Sequence, residues 1–198
     1  MAERLTSWDP KNYQVRGIPS KTPINVYKHW GEGGFGLILT GNIMIAYDQL
    51  EALGNPIIPE DTPFSGERFQ AFKEMEQQSK KHGSLVVGQV RHPDRQMEER
   101  LQPNLVSASD VQLEGEVLGM KFAKPHAANE AEIEKTIAGF THAAEYLYKA
   151  EYDGIELHGA HGYLLAQFLS QTTNKRTDQC GSSLANRSRI ILEIAKSV

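Results

Sequence analysis

Short apolar runs alternate with amphipathic stretches along the chain, and each has the length of one strand or one helix. Residues 35–42 and 84–90 are nearly continuous apolar runs, which is typical of parallel strands buried on both faces. Residues 153–158 instead alternate between apolar and polar side chains, and this period of two indicates a strand. The pattern therefore predicts three strands separated by helices.

Stretches with apolar side chains every three or four residues predict the helices. They cover residues 22–30, residues 64–82, a stretch that begins at Asn129, and about residues 184–198. Thr22 is placed to cap the first helix with Pro23 at its first position, while Asn129 and Glu132 have the spacing of a capping box. The predicted core faces of the last three helices are Phe69, Phe72, Met75 and Ser79; Ile133, Ile137, Phe140, Ala144 and Leu147; and Leu184, Ile191 and Ile194.

The order of helices and strands predicts a parallel sheet, because parallel strands need crossover helices between them. In such sheets the functional groups gather at the carboxyl ends of the strands, where Asn42, Gln89 and His158 stand. The order fits either an open doubly wound sheet or part of a (β/α)8 barrel. No glycine-rich phosphate fingerprint follows any of the three strands, which favours the barrel.

Alternation along the first two strands predicts which side chains share a face. The two predicted sets are Ile38, Thr40 and Asn42, and Leu85, Val87 and Gln89. We expect Ile38, Leu85 and Val87 to point into the barrel.

Composition indicates a globular protein with one core, since the chain has 198 residues, 39% hydrophobic residues and a net charge of −4. We expect one domain over residues 1–198. The mildly acidic balance and the scattered basic residues argue against nucleic acid as a partner. No apolar run is long enough to span a bilayer, the first residues lack a secretory signal, and there is one cysteine; these features predict a cytoplasmic location away from membranes.

The residues that could carry chemistry lie where the third strand ends. His158 closes the strand, and His161 and Tyr163 follow at offsets of three and five. Gly159 and Gly162 permit a sharp turn, so the three side chains can converge above the carboxyl end of the strand. Two imidazoles could then bind one carbonyl oxygen while a phenol delivers a proton to a neighbouring carbon.

Other interpretations of these residues stay open from the spacing alone. Two histidines three residues apart in a turn are often loop residues that satisfy backbone groups. A zinc pair is the weaker alternative, because Cys180 is distant from His161 and no third ligand of conventional spacing is present, so no metal is predicted. Gln89 can likewise be a satisfied core glutamine or a ligand contact.

Five stretches of the chain share a pattern with a known enzyme family. The longest reads Gly-Ile-Glu-Leu-His-Gly-Ala-His-Gly-Tyr-Leu-Leu-Ala-Gln-Phe-Leu-Ser over residues 154–170. Thr-Asn-Lys-Arg-Thr-Asp and Asn-Arg-Ser-Arg follow at residues 173–178 and 186–189, and the other two stretches are residues 36–42 and 89–96. Over nearly its whole length the chain resembles the Old Yellow Enzyme family of FMN-dependent NAD(P)H oxidoreductases, whose fold is a (β/α)8 TIM barrel.

The resemblance implies a role for each residue of the histidine stretch. His158 and His161 match the pair that hydrogen-bonds the carbonyl or nitro oxygen of the substrate, and Tyr163 matches the proton donor. The implied reaction is ping-pong: NADH or NADPH reduces FMN, and the flavin then gives hydride to the β-carbon of an activated alkene while Tyr163 protonates the α-carbon. The implied partner is a small-molecule enone or a related electrophilic alkene.

The resemblance also implies cofactor contacts on the first two strands. Gln89 matches a contact of the FMN ring. Asn42, or its neighbour Thr40, falls where the family's second strand touches the isoalloxazine. His92 and Arg95 are further candidates in the same motif.

The chain differs from the family's pattern at several positions. Asp94, Glu151 and Ser182 stand where the family has glycine, and Cys180 and Ala185 replace a tyrosine and a glutamate. At Glu151 the family's glycine would end a helix in a left-handed conformation, which other residues adopt reluctantly.

Length decides how much of a barrel is expected. A complete (β/α)8 barrel has about 250 residues, whereas this chain predicts three strand–helix units, which the resemblance identifies as strands two to four. Two functional classes follow: a fragment of an FMN-dependent ene-reductase, or a truncated, non-catalytic paralogue that acts as a binding or interaction module. An open sheet of this kind is also expected to self-associate.

Overall fold

The computed structural model describes residues 3–116 and 119–198. Its strands are β1 Leu37–Leu39, β2 Ile43–Met44, β3 Leu85–Arg91, β4 Val106–Ser107, β5 His126–Ala127 and β6 Gly154–Leu157. Its helices are α1 Lys21–Glu32, α2 Gly66–Lys80, α3 Glu130–Lys149, α4 Leu164–Leu169, α5 Leu184–Arg187 and α6 Arg189–Ser197. No helix within the described ranges has the length and apolar character needed to cross a membrane.

The larger sheet is built around β3. One part of β3 pairs in parallel with β1, where Leu85 lies opposite Leu37, and another part pairs in parallel with β6, where Gln89 lies opposite Glu156. β2 joins β3 in the same sheet. The predicted parallel sheet and its three main strands are therefore confirmed.

The first predicted strand is interrupted after Leu39. The Thr40 amide donates to the Val87 carbonyl oxygen over 2.9 Å, but the Gln89 amide then donates to the Thr40 hydroxyl over 3.0 Å. A side-chain oxygen thus takes the place in the ladder that a backbone carbonyl would occupy, and the strand resumes as β2 at Ile43. The prediction of one continuous strand over residues 35–42 is wrong for this reason.

The register also corrects the predicted faces of the sheet. Ile38 lies opposite Val86, and both side chains are buried. Leu37 and Leu85 lie opposite each other and are 57% and 51% exposed. Neighbours in a parallel ladder point to the same side, so the prediction that Ile38 shares a face with Leu85 and Val87 is wrong.

The described residues fall into two compact units. The first consists of residues up to Tyr47, Leu53–Val90 and His142–Leu157. The second consists of Asp48–Ala52, Arg91–Thr141 and His158–Val198. Thr40, Asn42 and Gln89 therefore belong to the first unit, and His158, His161 and Tyr163 belong to the second.

The core of the first unit is aromatic. Phe69 and Phe72 of α2 meet Tyr146 of α3 edge-on, with ring centroids 5.2 and 5.9 Å apart. Phe72 and Tyr146 are fully buried, and this burial raises the pKa of Tyr146 above its ordinary range. The predicted apolar face of α2 is confirmed, since Met75 and Ser79 are buried as well.

Ser20 caps α1, and its hydroxyl accepts a hydrogen bond from the Thr22 amide over 3.4 Å. The helix therefore begins at Lys21, two residues before Pro23, the predicted first position. Pro23 lies inside the first turn, where its missing N–H costs nothing. The prediction of Thr22 as the cap is wrong because the upstream serine fills that position.

The last predicted helix is two helices with a break at Ser188. Ile190 and Ile194 of α6 are buried, whereas Leu184, at the start of α5, is 63% exposed. The prediction of Leu184 as a core residue is wrong, because Leu184 is the first residue of the separate short helix α5 and does not belong to the buried face of α6.

The connection over residues 91–128 contains a second, small parallel sheet. Val106 lies opposite His126, and Ser107 lies opposite Ala127. Arg176 braces this sheet, since its Nη1 donates to the carbonyl oxygens of Ala108 and Ala128 over 3.2 and 2.6 Å. Two-residue strands are too short to produce a periodic pattern, which is why the sequence does not predict them.

Asp94, Glu151 and Ser182 all have left-handed backbones, with φ of 59°, 72° and 65°. These are the three positions where the resembled family has glycine. A side chain in this region costs roughly 1–2 kcal/mol relative to the right-handed conformation. These three positions therefore have the left-handed backbone that glycine favours, although the residues are not glycine.

Replacing Glu151 with glycine should stabilise the chain by about 0.5–1 kcal/mol, because the relieved strain exceeds the entropy that glycine adds to the unfolded chain. The substitution removes an ion pair of 2.6 Å between Glu151 and Lys73, but the pair is exposed and contributes little. Urea denaturation followed by tryptophan fluorescence measures the change. Glu151→Gln is the control, since it removes the charge and keeps the strain. A less stable Glu151→Gly variant would contradict the prediction.

Candidate active site

His158, His161 and Tyr163 lie together in the second unit. Nε2 of His158 and Nδ1 of His161 are 2.9 Å apart, so one of the two nitrogens donates a hydrogen bond and the other accepts it. The centroid of the Tyr163 ring lies 5.7 Å from that of His158 and 6.4 Å from that of His161. His158 is buried and His161 is exposed. The structure thus brings the three predicted side chains into one cluster.

Two amide side chains set the shape of the loop that carries the cluster. Gln96 Nε2 donates to the His161 carbonyl oxygen, and Gln167 Nε2 donates to the Gly162 carbonyl oxygen, each over 2.7 Å. His161 itself is left-handed, with φ of 54°. A non-glycine residue keeps such a conformation only where its surroundings enforce it, and this kind of strain concentrates at functional sites. Tyr163 occupies the N-cap position of α4, and its backbone is extended.

Arg91, the last residue of β3, lies against the ring of Tyr163. Its Cζ atom is 3.9 Å from the ring centroid, and its Nη2 is 3.3 Å from Oε2 of Glu51. Arg91 is 4% exposed. A buried positive charge therefore borders the predicted proton donor.

His92 and Asp94 follow Arg91 and are also buried. Burial lowers the pKa of His92 to about 4 and raises the pKa of Asp94 to about 7. The Ser107 hydroxyl, the Arg95 amide and the Arg95 charge oppose the rise at Asp94. The Asp94 amide donates to Nδ1 of His92 over 3.1 Å, so the His92 ring serves as an acceptor for the loop backbone.

Arg95, which the resemblance makes a further candidate for a cofactor contact, hydrogen-bonds to backbone carbonyl oxygens of this chain. Its Nη1 donates to the carbonyl oxygens of Val111 and Gln112 over 2.9 and 3.2 Å. These contacts fasten the loop after β3 to the segment that follows β4.

Thr40, Asn42 and Gln89 are buried in the first unit, with exposures of 1%, 0% and 4%. The Thr40 hydroxyl accepts the hydrogen bond from the Gln89 amide described above, and Nε2 of Gln89 donates to Oε2 of Glu156 over 3.2 Å. Thr40 and Gln89 are therefore in direct contact at the carboxyl ends of their strands, and Asn42 lies two residues along the chain.

Tyr27 of α1 holds the backbone between Thr40 and Asn42. The Gly41 amide donates to the Tyr27 hydroxyl over 2.5 Å. The Glu3 carboxylate packs so closely here that a Cβ atom at Gly41 would overlap it. Burial first, and then the charge of Glu3, raise the pKa of Tyr27 far above its ordinary range. The tyrosine hydroxyl therefore stays protonated and fixes this turn.

The sequence does not predict the contacts that Glu51, Arg91 and Tyr27 make at these sites. Each acts through a partner that is distant in the chain, which no periodic pattern reveals. The sequence does contain one indication of the role of Arg91. An arginine at the end of an apolar strand implies a buried charge that needs a partner.

The zinc alternative needs a third ligand beside His158 and His161. Within residues 3–116 and 119–198, no three His, Cys, Asp or Glu side chains are grouped so as to hold a metal ion. Cys180 is buried and lies outside any disulfide, and burial raises the pKa of its thiol.

Solved structures with the same fold cover the whole chain. It superposes on the old yellow enzyme homologue from Zymomonas mobilis with a TM-score of 0.84 and 23% identity, and covers 53% of that structure. It superposes on morphinone reductase with a TM-score of 0.83 and 24% identity, and covers 52% of that structure. These likenesses establish the fold and confirm the prediction of a partial (β/α)8 barrel.

Relatives found by sequence carry the assignment further. The chain is 52% identical, over all its 198 residues, to the NADH-dependent flavin oxidoreductase nadA of Aspergillus parasiticus, and covers 45% of that protein. It is 34% identical to the NADH-dependent flavin oxidoreductase iccE of Talaromyces variabilis, with 87% of this chain and 44% of the relative covered. The chain thus spans about half the length of these curated relatives. The profile of one family matches residues 16–198, and the chain belongs to that family, the NADH:flavin oxidoreductase / NADH oxidase family.

Proposed function

We propose that this chain forms the substrate-binding part of an FMN-dependent NAD(P)H oxidoreductase that reduces activated alkenes. The observation that supports the proposal most directly is the cluster of His158, His161 and Tyr163, which places two ring nitrogens and a phenol at one end of a parallel strand. The substrate would be a small enone or a related electrophilic alkene. The names of the Aspergillus and Talaromyces relatives contain NADH, which favours NADH as the reductant.

The histidine pair would bind the oxygen that activates the alkene. Nε2 of His158 and Nδ1 of His161 now face each other across 2.9 Å. A carbonyl oxygen that enters between them replaces this contact and accepts a hydrogen bond from each ring N–H. The two hydrogen bonds draw electron density from the alkene and make its β-carbon a better hydride acceptor. They strengthen as negative charge develops on the oxygen, so they favour the transition state over the bound substrate.

Tyr163 would complete the reduction by protonating the α-carbon. Its ring lies beside both histidine rings, so a substrate held by the pair is within its reach. The phenol gives up its proton when the carbon gains electron density, and water restores the proton afterwards. Proton delivery at carbon from one fixed side would also set the stereochemistry of the product.

Thr40, Asn42 and Gln89 would hold the flavin. Their side chains are neutral, buried, and able both to donate and to accept hydrogen bonds, which matches a ring edge that presents carbonyl and N–H groups in turn. The residues therefore fit the group in chemical character. Bound FMN would supply the hydride, after its own reduction by NADH or NADPH.

Tyr163→Phe in the chain supplied with FMN should slow alkene reduction by two or more orders of magnitude and leave flavin reduction by NADH nearly unchanged, because only the second half-reaction needs the proton. Stopped-flow absorbance measures the two half-reactions separately. Tyr148→Phe is the matched control, since Tyr148 is 79% exposed on α3.

Equal losses in both half-reactions would contradict the role of Tyr163. A chain that takes up no FMN, or that reduces no alkene, would contradict the proposed activity of this chain. Binding of a carbonyl ligand without turnover would favour the second class, a non-catalytic binding or interaction module. The cytoplasmic location stays a prediction.

A further inference from the structure

Arg91 is a charged side chain at the end of an apolar strand, and it is 4% exposed. A buried guanidinium is costly unless charged or polar groups surround it. Oε2 of Glu51 lies 3.3 Å from Nη2 of Arg91, and the Glu51 side chain is itself only 12% exposed. The carboxylate therefore holds the guanidinium in one place.

A second contact of this guanidinium is the ring of Tyr163. The distance of 3.9 Å from Cζ to the ring centroid is well inside the range of about 6 Å over which a cation and an aromatic face attract each other. The backbone around the ring is also fixed, because the Tyr163 amide donates to the Ala160 carbonyl oxygen and the Leu164 amide donates to the His92 carbonyl oxygen, each over 3.2 Å. Glu51, Arg91 and Tyr163 thus form a stack from carboxylate to guanidinium to phenol.

We propose that Arg91, held by Glu51, is a positioning residue for Tyr163 and that its charge stabilises the phenolate left after proton transfer. The inference rests on the proposed function and concerns the same site. In the transfer, the O–H bond of Tyr163 breaks, the proton goes to the α-carbon, and the electron pair stays on the oxygen. That oxygen is conjugated with the ring, so the negative charge spreads toward the face that Arg91 covers. Water then returns the proton.

The reactivity of Tyr163 in the chain itself tests this inference without flavin or alkene. Tetranitromethane nitrates tyrosine through its phenolate form, and mass spectrometry of the peptides reports the yield at each tyrosine. Tyr148, which is 79% exposed, is the internal reference for reactivity. Tyr146, which is fully buried, reports folding, because it becomes labelled only when the chain opens.

Arg91→Leu should lower the nitration of Tyr163 relative to Tyr148 at least threefold at pH 8, since the stabilising charge is gone. Arg91→Lys keeps a charge and should stay within twofold of the parent chain. Glu51→Gln keeps the size of the side chain beside the guanidinium and removes the opposing charge, so nitration of Tyr163 should rise.

A purely structural role for Arg91 predicts the opposite sign. If the arginine only packs against the ring, its loss loosens and exposes Tyr163, and nitration rises in Arg91→Leu. That result, or no change in both Arg91→Leu and Glu51→Gln, would overturn the inference. Labelling of Tyr146 in Arg91→Leu would show that this variant opens, and the other two variants then decide. Higher nitration of Tyr163 in Glu51→Gln, together with parent-like nitration in Arg91→Lys, supports the inference. Any other pair of results overturns it. Loss of alkene reduction would leave these results unchanged, so the inference and the proposed function fail separately.

Discussion

Replacing Asp94 with asparagine is expected to stabilise the chain by an amount that grows from near zero at pH 4 to a few kcal/mol at pH 7. Burial raises the pKa of Asp94 from 3.8 to about 7. Between these values the carboxyl is protonated in the folded chain and ionised in the unfolded chain, so the folded state binds more protons. The stability contributed by this group is therefore complete below about pH 4 and is lost as pH rises through 7. The total is on the order of 4 kcal/mol.

His92 is expected to act in the opposite direction over nearly the same range. Burial lowers its pKa from 6.5 to about 4, so between these values the unfolded chain binds the extra proton. This contribution rises with pH, and it is on the order of 3 kcal/mol. In the parent chain the pH dependences that Asp94 and His92 contribute to stability therefore offset each other. Substitution of either residue reveals the pH dependence contributed by the other.

Urea denaturation at steps from pH 4 to pH 8 measures both effects as differences in stability between variant and parent chain. The contributions of all other titrating groups cancel in these differences. Asparagine suits both positions: at residue 94 it tolerates the left-handed backbone, and at residue 92 its side-chain oxygen can accept from the Asp94 amide. The gain from Asp94→Asn should increase with pH, and the effect of His92→Asn should become less favourable as pH rises. Parallel stability curves for parent and variants would show that neither group titrates as its burial implies.

How far the fold can be predicted depends on how local its determinants are. Asn129 and Glu132 form the predicted capping box, each donating a backbone amide to the side chain of the other over 2.9 Å. Such a motif needs four adjacent residues and no knowledge of the rest of the chain. By contrast, the break after Leu39 depends on a hydrogen bond between Thr40 and Gln89, which come together only when the sheet forms.

The left-handed positions show what a resemblance adds to local patterns. Asp94, Glu151 and Ser182 have no local signal for a positive φ, because acidic residues and serine occur in many conformations. The glycines at these positions in the resembled family point to the strain at Glu151, and the structure places all three residues in the left-handed region. The backbone is thus more constrained than the side chains that occupy it.

The candidate site likewise has a part that local sequence predicts and a part that depends on packing between distant residues. The spacing of His158, His161 and Tyr163 within one turn is sufficient to predict that they converge, because a short loop at a strand's end allows few arrangements. Arg91 and Glu51 lie far from Tyr163 in the sequence and on different elements. Their stack is a product of packing, and burial of the arginine is the property that reveals it.

The chain is expected to self-associate through the sheet face that carries Leu37 and Leu85. These side chains lie opposite each other and are 57% and 51% exposed, and Val87 on the same face is partly exposed. Full burial of a leucine is worth about 1.5–3 kcal/mol, and half of each side chain is available, so pairing of two such faces gains several kcal/mol.

Leu37→Thr combined with Leu85→Thr should shift the chain toward the monomer and weaken self-association at least tenfold, because threonine keeps the strand preference and removes most of the apolar surface. Sedimentation equilibrium over a range of concentrations measures the change. Leu192→Thr is the matched control, since Leu192 is a leucine of similar exposure (53%) on α6 and not on the sheet's strands, and it should behave as the parent chain does. A monomeric parent chain, or an equal effect of the control, would refute a role for this face. Weakening confined to the double variant would identify Leu37 and Leu85 as the surface that drives association.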